Sequence, residues 1–314
     1  MKHKRILLWP IKIMVTLLFL YVANKSLTGN DITLLIHKVK HWPVLATILL
    51  SLAATLLHTL RWHIILRHFG FVASFTASLK TVLWGNTLAF ITPGRIGELF
   101  RGLEIDVKRK GDSIIAALVD KIYVSGSILV VGMLGFGLHI LIFGSHPYRN
   151  HTAVAAVTGT VILFAAILFL HHRPSKQRPA WLKQLLKAWD YFPDIYGKEG
   201  NAALGCSLAA QLILIVQTVI VFDMFGSFAP VALLVIASQA YVVMTLIPIA
   251  IANMGIREFS FALFAGQFFL AGPNALSLHN VCLGASVSIL LINILLPAFA
   301  GLLWELIDNQ FKKG

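Results

Sequence analysis

Long apolar runs separated by short polar connections dominate this chain. Six of the runs are long enough to cross a bilayer, because a membrane-spanning helix needs about 20 predominantly apolar residues. These runs cover residues 6–23, 43–66, 113–143, 151–170, 201–225 and 278–307. The pattern predicts an all-α fold, a polytopic transmembrane helical bundle with six full spans.

Two further apolar regions, 74–105 and 229–272, are broken near the middle. Proline lacks the backbone N–H that a helix interior needs, and glycine weakens a helix through its conformational freedom. The breaking residues are Pro93, Gly94 and Gly97 in the first region and Pro248, Asn253 and Gly255 in the second. We expect each region to be either a re-entrant helical hairpin or a pair of short full spans, with these residues as hinges.

The lysines and arginines favour one orientation of the spans. With the N-terminus in the cytoplasm, most of the basic connections, including 108–110 and 173–187, also lie on the cytoplasmic side. That distribution follows the positive-inside rule. We therefore expect a multi-pass protein of a bacterial-type plasma (inner) membrane, with both termini in the cytoplasm.

In this topology the regions 74–105 and 229–272 enter the membrane from opposite faces. Two similar broken elements of opposite orientation are typical of an inverted repeat, in which half-helices meet at a binding site near the bilayer midplane. The alternative is that proline and glycine occur here only because they are commoner in membrane helices than in soluble ones.

Composition supports a single integral membrane domain covering residues 1–314. Charged residues make up only 12% of the chain and hydrophobic residues 58%, whereas soluble domains contain about 25% charged residues. The longest polar segment, 171–200, is too short for a soluble catalytic domain. The net charge of +13 lies mostly at span ends, where cations contact anionic lipid headgroups, so we expect no nucleic-acid partner.

Charged side chains inside the two broken regions are the main candidates for a functional site. An ionised group at the bilayer centre costs roughly 2.5–3.5 kcal/mol on insertion scales, so several such groups indicate a polar site within the membrane. If the first region is helical after its break, Arg95, Glu98 and Arg101 share one face. In the second region, Arg257 and Glu258 diverge by about 100° on a helix.

Cross-pairing between the two regions would relieve the burial of these charges. We expect Arg257 to pair with Glu98, and Glu258 to pair with Arg95 or Arg101. The alternative is that such pairs only hold the two hairpins together, although buried ion pairs stabilise less well than apolar packing.

A third polar spot, Asp120 and Lys121, lies a few residues inside the span that starts near residue 113. Lys121 either faces the same site or extends to the cytoplasmic interface, as long cationic side chains often do. Together with the two broken regions, this spot completes a predicted site with a small surplus of positive charge.

Three motifs together resemble one membrane family. They are Pro-Gly-Arg-Ile-Gly-Glu-x-x-Arg from Pro93, Asp-Lys-x-Tyr from Asp120, and, from Pro248, a Pro separated by six residues from Gly-x-Arg-Glu. Their order and separation are similar to the lysylphosphatidylglycerol synthase transmembrane-region family, which includes the flippase part of bacterial multiple peptide resistance factors. The resemblance implies a flippase-like membrane domain. It also implies that the recurrent polar positions of the family are Arg95, Glu98, Arg101, Arg257 and Glu258.

Two departures from the family pattern concern the substrate. Asn253 stands where the second motif usually has glycine, and Lys121 stands where the middle motif often has arginine. The soluble aminoacyl-transferase domain of the full-length resistance factors has no counterpart in these 314 residues, so that activity is not expected here.

Histidine and cysteine form no metal or cofactor motif. His58 and His63 flank Arg61 but lack the i, i+4 spacing of a helical zinc pair. We interpret them as interfacial histidines, and we expect neither a metal nor a cofactor.

The main hypothesis is a flippase-like transporter that moves or presents a phosphate-bearing lipid between leaflets. The expected partners are membrane lipids, either an anionic or zwitterionic phospholipid or a polyprenyl-phosphate-type lipid. The alternative is a membrane-embedded enzyme or an accessory subunit in lipid-linked glycan or aminoacyl-phospholipid synthesis. In the accessory case, segment 171–200 would dock an envelope-synthesis enzyme.

Overall fold

The computed structural model describes residues 41–92, 95–105, 109–143, 197–226, 228–247, 253–269 and 275–311. Within these ranges the secondary structure is helical. The elements are α1 (His41–His68), α2 (Phe75–Ile91), a 3-10 helix (Ile96–Glu104), α3 (Lys110–Phe143), α4 (Lys198–Phe225), α5 (Pro230–Leu246), α6 (Ile256–Phe269), α7 (Ala275–Leu290), a π-helical segment (Leu291–Leu295) and α8 (Leu296–Phe311).

Four helical stretches of the described residues are long and apolar enough to cross a membrane. They are Trp42–His68, Lys110–Ile142, Lys198–Phe225 and Asn280–Ile307. Each coincides with one of the six spans predicted from the sequence, which confirms an all-α membrane architecture. The other two predicted spans, 6–23 and 151–170, lie outside the described residues, as do Pro93, Gly94 and Pro248.

The first broken region folds as an antiparallel pair formed by α2 and the 3-10 helix. A Cβ atom at Gly97 would lie 2.4 Å from the carbonyl group of Leu88, and one at Gly85 would lie 2.9 Å from the Cβ of Arg101. The two glycines therefore permit the close approach of the two helices. Thr92 lies at the end of α2, and its side-chain oxygen accepts the Gly97 backbone N–H at 2.8 Å. This hydrogen bond ties the 3-10 helix to the end of α2.

The second broken region also folds back on itself. The ring of Phe228, just before α5, packs against that of Phe269 at the end of α6, with 4.9 Å between centroids. The start of α5 therefore lies beside the end of α6. Asn253, close to the start of α6, has a φ of 58°.

The two regions share an uncommon backbone feature. Among the described residues, Arg95 (φ 56°) and Asn253 (φ 58°) are the non-glycine residues with positive φ. This conformation costs an L-residue roughly 1–2 kcal/mol. Arg95 follows Pro93 and Gly94, and Asn253 is itself one of the breaking residues of the second region, so each region has a residue of this conformation at or just after its break.

Buried apolar side chains form two larger clusters at different heights along α3. The first cluster is centred on Trp62 and Ile65 of α1 and on Ala116 and Val119 of α3. The second contains aromatic side chains of α3, α4 and α6: Phe136, Phe222, Phe261 and Phe264. The stretch of α3 between the two clusters faces a polar cavity.

A pair of amide side chains joins α4 to the π-helical segment. Gln217 Nε2 donates to Asn293 Oδ1 at 3.0 Å, and Asn293 Nδ2 donates back to Gln217 Oε1 at 2.7 Å. Gln217 Nε2 also lies 2.9 Å from the Thr47 carbonyl. The Ser51 hydroxyl donates to the Ile292 carbonyl at 3.2 Å, so side chains of α1 and α4 satisfy polar groups of the irregular segment.

Gln217→Leu is expected to lower the free energy of unfolding by about 1–3 kcal/mol, because the Thr47 carbonyl and the half-buried Asn293 amide then lose the hydrogen bonds of a fully buried side chain. Adding Asn293→Leu is expected to restore part of the loss, since replacing both partners of the amide pair by apolar groups costs less than leaving one of them unsatisfied. Unfolding titrations in mixed detergent micelles measure both effects. A double variant that loses the full sum of the two single changes would contradict this account.

Candidate functional site

A cavity of about 350 Å³ lies within the helical bundle. Thr55, Ser127 and Gln211 line it, and they fall at the middle of α1, α3 and α4 respectively. The cavity is therefore located halfway along three membrane-spanning helices. Its charged lining residues are Arg61, Arg95, Glu98, Arg101, Asp120, Lys121 and Arg257.

Most of the residues that the sequence proposed for a site meet at this cavity. The lining includes Arg95, Glu98, Arg101, Asp120, Lys121, Asn253 and Arg257. Glu258 and Gly97 are immediate neighbours of lining residues in the chain, and Gly255 lies between the lining residues Asn253 and Arg257. The structure thus brings side chains of both broken regions to one polar chamber, while their binding of a substrate stays a prediction.

Asp120 is held between two arginines. Its carboxylate accepts from Arg61 Nε at 2.7 Å and from Arg61 Nη2 at 3.1 Å, and Arg101 Nη2 lies 2.6 Å from the second oxygen. All three side chains are buried. The Arg101 guanidinium also stacks on the Trp62 ring, 4.0 Å from its centroid. This triad links α1, the 3-10 helix and α3 into one wall of the cavity.

Glu98 is held between two other cations, Arg95 and Lys121. Arg95 Nε donates to Glu98 at 2.5 Å, and Lys121 Nζ forms an ion pair with the other carboxylate oxygen. Arg95 and Lys121 each keep 31% of the side chain exposed, so they are the cations that an occupant of the cavity reaches most directly. Lys121 therefore faces the site rather than the cytoplasmic interface.

After its break, the first broken region continues as the 3-10 helix Ile96–Glu104, where the sequence suggested an ordinary helix. With three residues per turn, positions i and i+3 eclipse, so Arg95, Glu98 and Arg101 still project toward one side. Glu98 takes Arg95 as its local partner, which leaves Arg101 to reach across to Asp120.

Glu258 caps the start of α6. It accepts the Gly255 backbone N–H at 2.6 Å, the arrangement of a carboxylate three residues into a helix that reaches back to its N-terminus. Its other oxygen accepts the Ser286 hydroxyl of α7. Arg257 Nη1 lies 3.3 Å from the Ser286 carbonyl. The expected pairs, Arg257 with Glu98 and Glu258 with Arg95 or Arg101, do not form. Glu98 pairs with Arg95 and Lys121 instead, and Glu258 binds the start of its own helix.

Sequence reasoning missed Arg61 and His58 as site residues. Arg61 is 2% exposed, and its Nη1 lies 3.0 Å from His58 Nδ1 and 3.2 Å from the Ser207 hydroxyl. A guanidinium has no acceptor, so His58 accepts this hydrogen bond as a neutral ring. The available signal was an arginine well inside an apolar run, which is an expensive placement without a partner.

Comparison with known proteins agrees with the architecture. The family model described as "Lysylphosphatidylglycerol synthase TM region" matches residues 9–304, nearly the whole chain. Comparison with the curated proteins and with the solved structures found no match to this chain.

Proposed function

Since this chain belongs to the lysylphosphatidylglycerol synthase transmembrane-region family, we propose that it binds the phosphate-bearing headgroup of a membrane lipid in the central cavity and moves that lipid between leaflets. The observation that carries the proposal is the convergence of Arg95 and Arg257, one from each broken region, on one chamber. Arginine suits this role because its planar fork matches phosphate oxygens.

The contacts between helices support entry of the two hairpins from opposite faces. Trp62 Nε1 donates to Thr81 Oγ1 at 2.9 Å, and His63 contacts Ser78, so α2 runs back along the last turns of α1. Arg109, at the start of α3, donates to the Phe69 carbonyl at the end of α1. The start of α2 and the start of α3 therefore lie on the same side of the bundle.

α5 starts on the other side. A Cβ atom at Gly132 would touch Val242, and one at Gly135 would touch Ser238, so α5 runs antiparallel to α3. With α2 entering from one face and α5 from the other, the proposed arrangement has two hairpins of opposite orientation beside the cavity. Small movements of one hairpin against the other would expose the cavity alternately, which is how inverted-repeat transporters work. In the proposed orientation, the termini and the start of α2 are on the cytoplasmic side of an inner membrane.

An enzymatic role for the cavity is less well supported. A carboxylate that acts as a general acid, a general base or a metal ligand needs a free oxygen directed at the substrate. Among the described residues, Asp120 and Glu98 are each shared by two cations, and Glu258 caps a helix. Carboxylates engaged in this way shape and charge a binding site rather than react.

A leaflet-resolved assay tests the proposed function. With purified protein in vesicles containing a headgroup-labelled phospholipid, Arg95→Ala and Arg257→Ala are each expected to slow translocation roughly tenfold or more, the value of a lost charge-assisted hydrogen bond. Arg67→Ala, which removes an exposed arginine at the end of α1, is the matched control and should translocate normally. Unchanged rates in both cavity variants would rule the proposal out.

A further inference from the structure

We infer that the cavity selects a headgroup with at least two negative charges, namely a lipid phosphomonoester or diphosphate, over the singly charged phosphodiester of common phospholipids. This inference rests on the proposed function and adds the substrate class. It follows from the charge of the cavity wall, from the depth at which that wall lies and from the donors that remain available to an occupant.

The described lining carries a clear positive surplus. Its cations are Arg61, Arg95, Arg101, Lys121 and Arg257, and its carboxylates are Glu98 and Asp120. His58 adds no charge, because it accepts a hydrogen bond from Arg61. Counting Glu258, the neighbour of Arg257 in the chain, still leaves two positive charges without a balancing carboxylate.

The surplus is built into the geometry of the two triads. Asp120 is shared by Arg61 and Arg101, and Glu98 is shared by Arg95 and Lys121. Each triad therefore has one cation more than its carboxylate neutralises. Rearranging side chains within a triad cannot remove that excess.

The position of the cavity makes the excess costly while the site is empty. Apolar clusters lie on either side of it along α3, so bulk counterions screen the charges of the cavity only weakly. Charge interactions strengthen as the local dielectric falls, and an uncompensated buried charge is strongly destabilising. An occupant that supplies two negative charges neutralises both triads, whereas a phosphodiester neutralises one. An aminoacylated headgroup brings a further cation.

The donors that line the cavity suit phosphoryl oxygens. Arg95 and Lys121 are partly exposed to the cavity. Gln211 also lines it, and its Nε2 is buried with no hydrogen-bond partner in the described structure. A buried amide donor without a partner is uncommon in a folded protein. These three groups line one cavity and offer several N–H donors to an anion there. The cavity volume of about 350 Å³ is near the lower end for ligand pockets, which fits a compact headgroup.

Binding to the purified full-length chain in detergent tests the inference. Phosphatidic acid, phosphatidylglycerol and phosphatidylethanolamine with identical acyl chains differ only in headgroup, and a phosphomonoester carries about −1.5 to −2 charge at pH 7. We expect phosphatidic acid to bind on the order of tenfold more tightly than phosphatidylglycerol, as one more charge near a cation predicts. Glycerol phosphate and inorganic pyrophosphate, tested alongside, distinguish a lipid from a free phosphate.

Charge variants connect this preference to the triads. Lys121→Met is expected to narrow the preference for phosphatidic acid, and Glu98→Gln is expected to widen it. Lys110→Met, an exposed position on the same helix, removes the same charge outside the cavity and should leave the preference unchanged. Opposite shifts from Lys121→Met and Glu98→Gln are not expected from a loss of folding alone.

The outcomes separate the inference from the proposed function. Equal affinities for phosphatidic acid and phosphatidylglycerol, both weakened by Arg257→Ala, would overturn the dianion preference and leave lipid binding intact. Absence of binding by all three lipids would overturn both. If pyrophosphate or glycerol phosphate binds as tightly as phosphatidic acid, the dianionic chemistry is supported and the lipid is contradicted as its source.

Discussion

Asp120→Asn is expected to lower the free energy of unfolding by about 3–5 kcal/mol, the usual cost of removing one partner from a buried ion pair. The asparagine amide keeps the size of the side chain but cannot neutralise Arg61 and Arg101, both of which are buried. Two guanidinium groups would then lie in the middle of the bundle without an anion. Unfolding titrations of the purified protein in mixed micelles measure the change.

The matched control is Asp112→Asn on the same helix. Asp112 also pairs with an arginine, Arg109, at 3.0 Å, but its side chain is 42% exposed. Exposed pairs contribute about 0–1 kcal/mol, so this variant should unfold almost like the unchanged protein. Similar small losses in both variants would show that the Arg61–Asp120–Arg101 triad does not hold the wall of the cavity together.

The Arg61–Asp120–Arg101 triad shows which features of the fold and of the site could be predicted from the sequence. The apolar runs predicted four spans that the described residues contain, because burial of a span is a local property of about 20 consecutive residues. The cost of a membrane-embedded charge likewise identified Arg95, Glu98, Asp120 and Arg257 as candidates. Neither argument depends on which helices are neighbours.

The choice of ion-pair partners does depend on which helices are neighbours. Asp120 has arginines available in several segments, and only the packing of α1 against α3 selects Arg61. The expected pairing of Arg257 with Glu98 was wrong for the same reason, because Arg95 lies one 3-10 turn from Glu98 and pairs with it instead. The π-helical segment near Asn293 was also not foreseen, because its polar groups are satisfied by side chains of α1 and α4 that are distant in the chain.

Gly97→Ala is expected to be the most damaging single-methyl change near the site. A Cβ atom there would lie 2.4 Å from the carbonyl carbon and oxygen of Leu88. These are backbone atoms of α2 and cannot rotate away, so the 3-10 helix must move as a unit. Overpacking of this kind costs about 1–3 kcal/mol. The shift also displaces Glu98, the next residue, and Arg101, one turn further on, from their partners on α3.

We therefore expect Gly97→Ala to reduce both stability and the proposed lipid translocation, with translocation falling roughly tenfold or more, the value of a lost charge-assisted hydrogen bond. Gly126→Ala on α3 is the control, because a Cβ atom there meets nothing within 4 Å, and alanine favours a helix over glycine by about 1 kcal/mol. That variant should be at least as stable as the unchanged protein. If Gly97→Ala keeps full translocation, the 3-10 helix tolerates displacement, and the placement of Glu98 and Arg101 by the α2 contact does not control transport.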